Sequence, residues 1–110
     1  MRTKILHDKL GKIPLVIAEV GQNHQGSLKI AKEYIREFSK CGADIIKFQA
    51  RNNKRLFSKE AYNKIYDSEN SFGKTYGQHR EKLELSFNDL RELKKECKKR
   101  NLLFMVTPFD

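Results

Sequence analysis

A chain of 110 residues has room for one small domain. A hydrophobic share of 38%, a charged share of 34% and no tryptophan are lean for a parallel α/β protein, whose strands are buried on both faces. The net charge of +9 suits anionic partners such as nucleic acid, membrane surfaces or phosphorylated small molecules, while no stretch approaches the ~20 apolar residues needed to span a bilayer.

Met1–Ile13 reads as a weak leader. Its Arg2, Lys4, Asp8 and Lys9 leave no apolar run for a signal peptide, so a cytoplasmic location is expected. Residues 14–110 read as one partial domain. Pro14 tolerates the start of an edge or barrel strand, and Leu15–Val20 is the first strand, with Glu19 near its end. Gly21–Gly26 is a loop. Ser27 is an N-cap, and Leu28, Ala31, Ile35 and Phe38 make the apolar face of a helix over about 28–41. Gly42 suits the left-handed residue that ends it.

Ala43–Gln49 is the second strand. Ile45, Lys47 and Gln49 fall on one side, Ile46 and Phe48 on the other. Residues 51–85 form a long polar excursion with scattered aromatics: Phe57, Tyr62, Tyr66, Phe72 and Tyr76. Ser58–Ile65 can form a short helix and Ser68–His79 reads as a loop. The aromatics indicate a packed loop rather than a linker. Ser86 and Asp89 resemble a capping box that opens the second long helix. Leu90, Leu93 and Cys97 are its buried stripe, and Lys98, Lys99 and Arg100 complement the dipole at its end. Leu102–Thr107 is the third strand, and Pro108 ends it. Cys41 and Cys97 read as reduced thiols buried as small hydrophobes.

The order β-α-β-(long loop)-α-β predicts a parallel sheet with right-handed crossovers. Three such strands leave sheet edges and one face uncovered, so the piece is expected to belong to something larger. Glu19, Lys47 with Gln49, and Thr107 each lie at the C-terminal end of a strand, where α/β barrels and open α/β sheets bind ligands. A lysine and a hydroxyl suit a phosphate or carboxylate. A facing carboxylate can orient water or move a proton. Blander readings stand beside these: a strand-end salt bridge for Glu19, a solvated strand end for Lys47, and a good β residue in Thr107. Asn23 and His24 can be loop and capping residues, His79 a surface histidine, and the lysines of the second helix a solvated face.

Four stretches carry a resemblance: IAEVGQNHQGS, GADIIKFQA, NSFGKTYGQHREKLELS and VTPFD. In this order they resemble the opening barrel segments of the sialic acid synthases, over about residues 13–110. The resemblance implies an α/β fold that is the N-terminal β-α-β-α-β portion of a (β/α)₈ TIM barrel, incomplete in this chain. It implies condensation of phosphoenolpyruvate with an N-acylmannosamine-type sugar to a nine-carbon 2-keto-3-deoxy acid, with release of phosphate. It implies a divalent metal, Mn²⁺ or Mg²⁺, as a Lewis acid on the sugar aldehyde, with ligands outside this chain. Residue by residue, Lys47 and Thr107 match groups that hold phosphoenolpyruvate. Glu19 matches a glutamate near the reacting centre, and Gln49 a glutamine beside the sugar and metal. Tyr76 and His79 match the long loop near the site, counted with the substrate-binding residues. Ala50 and Gln78 depart mildly from the family pattern.

The resemblance further implies a homodimeric full-length parent, with no nucleic acid or membrane partner. Two other readings remain: an inactive fragment or half of a split enzyme, and a polyanion-binding module. The basic residues do not favour the second, because they are spread over the leader, the loop and both helices.

Overall fold

The computed structural model describes residues 2–110. Met1, the first residue of the leader, and the side chains of residues 1–5 lie outside the described part. The leader forms a helix, α1 (Arg2–Lys9). Its Lys9 ammonium pairs with Asp44, whose other oxygen accepts the Val16 N–H at 2.9 Å. Lys9 and the Val16 N–H together hold the Asp44 carboxyl below its ordinary pKa.

Three strands follow: β1 (Ile17–Gly21), β2 (Ile45–Ala50) and β3 (Leu103–Pro108). They form one parallel sheet in the order β1-β2-β3. The first strand was expected from Leu15 but begins two residues later. The Val16 N–H is taken by the Asp44 side chain and its carbonyl by the Asp44 and Ile45 amides, so the ladder starts at Ile17. β3 includes Pro108, which is tolerated because β3 is an edge strand among the described residues.

Two long helices cover one face. In α2 (Leu28–Lys40) the Ser27 hydroxyl accepts the Ile30 amide, and Gly42 follows at φ +84°. In α6 (Phe87–Lys99) Ser86 and Asp89 make the expected reciprocal capping box. The even-numbered strand residues point at these helices. Val20, Ile46 and Phe48 join Ala31, Ile35, Leu90, Leu93 and Cys97 in the buried cluster, with Phe104 and Val106 packed against it. Leu93 is fully buried, so Leu93→Ala is expected to lose about 2–5 kcal/mol of stability, measured by urea unfolding. A loss under about 1 kcal/mol would show that this stripe is not the core.

Cys97 is buried as expected, but Cys41 is exposed, and no disulfide joins them. Cys41 is the C-cap of α2. The chain has already turned off the apolar face there, which corrects the reading of a buried thiol.

The excursion is structured throughout. It holds α3 (Asn53–Leu56), α4 (Lys59–Asn63) and α5 (Tyr76–Leu83). The stretch read as a loop to His79 stops at Thr75, whose hydroxyl and Gln78 form a capping box that starts α5. An antiparallel bridge between Ile65 and Thr75 closes its base. Among the described residues no helix is long and apolar enough to cross a membrane.

Candidate active site

The odd-numbered residues of the strands occupy the face that the helices leave uncovered. Register sets Glu19 opposite Lys47, and Gln49 opposite Thr107. The Lys47 ammonium lies 3.2 Å from a Glu19 oxygen. The Gln49 amide N–H reaches the other Glu19 oxygen at 3.5 Å. Thus four of the six site residues expected from sequence share one end of one sheet face.

Gly21 makes this grouping possible. The ladder slips between Glu19 and Gly21, and Gly21 has φ +60°. A Cβ there would sit 3.4 Å from the Glu19 oxygen and 3.6 Å from the Gln49 amide nitrogen, and its backbone would be strained.

The side chains of the pair are 32% (Lys47) and 42% (Glu19) exposed, so it stabilises the fold by no more than about 1 kcal/mol. That small value matters for chemistry. An arriving anion can take over the ammonium at little expense to the fold. Among the described residues no three His, Cys, Asp or Glu side chains converge to hold a metal ion. The resemblance places the ligands of its divalent metal outside this chain.

Tyr76 and His79 lie in the excursion, among aromatics. The His79 ring is 4.6 Å from Tyr66, 5.9 Å from Phe72 and 6.2 Å from Tyr76, and its Nδ1 accepts the Phe72 amide at 3.2 Å. His79 is buried rather than on the surface. Burial, and then the neighbouring Arg80 charge, lower its pKa, which favours the neutral ring. Tyr76 is edge-on to Phe57 at 5.1 Å and to Tyr66 at 5.5 Å. The contacts of both residues are with the excursion itself, not with the Glu19–Lys47 group.

A second set of polar residues escaped the sequence reading. The Tyr76 hydroxyl accepts from Arg80 Nε at 2.9 Å, and Arg80 Nη1 donates to Gln22 Oε1 of the side-chain amide. Gln22 Nε2 donates to Glu84 Oε1 at 2.8 Å, and Glu84 Oε2 accepts the Arg51 backbone N–H at 3.2 Å. The chain of contacts runs from α5 to the β1 loop and on to the end of β2. A charged residue between the apolar Leu83 and Leu85 is the one sequence signal for it; Gln22 lies too far away in sequence to pair by inspection.

His24 is buried beside Phe48, with its Nδ1 accepting the Gly26 amide at 2.9 Å. It is the loop residue of the bland reading. Burial lowers its pKa, and the Gly21 carbonyl only partly offsets this. The unfolded chain therefore takes up a proton first. This contribution to stability is present above the ordinary histidine pKa of about 6.5 and is lost as pH falls through and below it. His79 has the same sign. The urea midpoint is expected to drop between pH 7.5 and 5.5, and less steeply in His24→Gln. An equal slope in that variant would remove His24 from the account.

On α6, Lys95 pairs with Glu92 on an exposed face, as a solvated face does, while Arg100, the C-cap, pairs with the partly buried Glu96.

Comparison with known proteins places the chain in a family. The model of the NeuB family matches residues 34–110. The chain is 42% identical over 95 residues to the Homo sapiens N-acetylneuraminate-9-phosphate synthase, covering 86% of this chain and 26% of that protein. It is 38% identical over 100 residues to the Campylobacter jejuni N,N'-diacetyllegionaminic acid synthase, covering 90% of this chain and 30% of that protein. The crystal structure of N-acetylneuraminic acid synthetase from Leptospira borgpetersenii, in complex with citrate, superposes with a TM-score of 0.66 at 32% identity, over 93% of this chain and 34% of that one. The chain thus spans between a quarter and a third of the length of these relatives. With the family model covering more than half of its residues, the chain belongs to the NeuB family, the family of sialic acid synthase-type proteins.

Proposed function

We propose that this chain supplies part of the active site of a synthase that condenses phosphoenolpyruvate with an N-acylmannosamine-type sugar. The methylene carbon of phosphoenolpyruvate bonds to the sugar's aldehyde carbon, water adds at the phosphate-bearing carbon, and phosphate leaves. The product is a nine-carbon 2-keto-3-deoxy acid. The observation that carries the reading is the grouping of Glu19, Lys47, Gln49 and Thr107 at one end of the sheet face that lacks helices. Strand C-terminal ends are where α/β proteins bind ligands.

In this reading the sheet is the opening part of a (β/α)₈ barrel, and its uncovered face lines the interior. Lys47 and Thr107 hold the carboxylate and phosphate of phosphoenolpyruvate. Glu19, released from Lys47, orients the attacking water or takes its proton. Gln49 contacts the sugar. Tyr76 and His79 shape the loop that flanks the substrates. The Mn²⁺ or Mg²⁺ of the resemblance would be held by residues outside this chain and would supply Lewis-acid assistance.

The test is phosphate release by the full-length protein from phosphoenolpyruvate, with N-acetylmannosamine or its 6-phosphate as acceptor. Release that needs both substrates is expected. Failure to release phosphate with either acceptor, or release without any aldose, would overturn the reading.

A further inference from the structure

The Glu19–Lys47 pair sits on two different strands, so its geometry depends on how the strand ends are fastened to each other. The parallel ladder itself is irregular at that place, between Glu19 and Gly21. It resumes only at Gly21–Phe48, and a side chain joins the two strand ends just beyond that point. Glu84 is the residue in contact with both sides: Oε1 accepts from Gln22, the residue after β1, and Oε2 from the Arg51 N–H, the residue after β2.

We propose that Glu84 is a positioning residue, a clamp that accepts from both strand ends and holds Glu19 against Lys47. The inference rests on the proposed function for its catalytic consequence, and on geometry alone for the clamp.

Three observations support it. Glu84 cannot drift, because its neighbours Leu83 and Leu85 are both buried and Ser86 begins α6 as its N-cap. Gln22 cannot flip its amide, because its oxygen is engaged by Arg80 and its nitrogen by Glu84. And the carboxylate is held in an unfavourable place. Burial pushes its pKa up, opposed by the Arg51 N–H and charge and by Gln22, with Glu81 adding to the rise. The half-buried carboxylate nevertheless gives one oxygen to each strand end.

Glu84→Gln keeps the shape but offers one acceptor oxygen and one donor to two donors, so one strand end is released. Steady-state kinetics of the full-length protein are expected to show kcat lowered about tenfold or more in Glu84→Gln and in Gln22→Ala. KM for phosphoenolpyruvate should change less than threefold, because Lys47 and Thr107 remain. The double variant should be no worse than the poorer single one, since both break one link. If Glu84→Gln does not fold, Gln22→Ala carries the same expectation. Values of kcat within twofold of the parent in both variants, or losses that multiply, would overturn the clamp. An inactive parent refutes the proposed function instead. Hydrogen exchange in Glu84→Ala, which lacks both acceptors, then decides: faster exchange at the Arg51 amide and across residues 20–26 supports the clamp, and unchanged exchange ends it.

Discussion

Lys47→Ala is expected to lower kcat/KM for phosphoenolpyruvate about 10²- to 10³-fold, the size of effect seen when one well-placed donor to a developing or resident anion is removed. The expectation follows from the face on which Lys47 lies. Its neighbours in the strand, Ile46 and Phe48, are fully buried under the helices, whereas Lys47 points the other way, to Glu19. Thermal stability should hardly change, because a pair with both side chains partly exposed contributes under about 1 kcal/mol. A large kinetic loss with an unmoved melting temperature separates a ligand contact from a strand-end salt bridge. Glu19→Gln serves as the companion: if the pair were only structural, both variants would be equally mild. Normal turnover in Lys47→Ala would remove Lys47 from the site and leave the strand-end grouping without its anion-binding member.

Gly26→Ala is expected to be the most destabilising substitution in the β1–α2 loop, by more than about 3 kcal/mol, in the range that a steric clash with fixed backbone reaches. Gly26 has φ +75°, and a Cβ there would stand 2.0 Å from the Lys82 carbonyl oxygen, a backbone atom that cannot move aside without displacing the end of α5. Gly42 provides the control. It too has positive φ, at +84°, but nothing lies within 4 Å of its absent Cβ. Gly42→Ala should therefore show only the backbone penalty, about 1–2 kcal/mol. The difference between the two variants, read by urea unfolding, isolates the close approach of the loop to α5. Equal effects would mean that the loop gives way and that the contact does not hold it. Activity should fall with Gly26→Ala as well, since the same loop carries Gln22 to Glu84.

Much of this was legible in the chain. The alternation Ile45–Lys47–Gln49 against Ile46–Phe48 fixes which side of β2 faces the helices and which faces away, because a strand's side chains alternate with period two. Ser27 and Ser86 announce their helices through caps that depend on three or four consecutive residues. Local signals were also present where the reading fell short. Thr75 and Gln78 make a capping box, yet the Asn, Ser and Gly content of residues 68–79 reads as a loop. The start of β1 was misplaced because Asp44, distant in sequence, captures the Val16 amide. The clamp was illegible for the same reason: Gln22, Arg51 and Glu84 lie in three separate segments, and only the fold brings them together. Cys41 failed on a finer point, since a residue one step past a helix end no longer follows the helix's periodicity.

The excursion between β2 and β3 has a consequence for how the chain comes together. About twice as many residues separate paired positions of β2 and β3 as separate those of β1 and β2. Closing a chain of twice the length raises the entropic penalty by only about 0.6 kcal/mol. The bridge between Ile65 and Thr75, with the amide of Tyr66 bonded to Lys74 and that of Tyr76 to Lys64, pinches the excursion at its middle and shortens the effective span further. Strand addition can then proceed in the order of synthesis, each strand docking on its immediate predecessor. Segments inserted at the tip beyond that bridge would lengthen a loop already closed, leaving strand assembly untouched and the tip open to evolutionary variation.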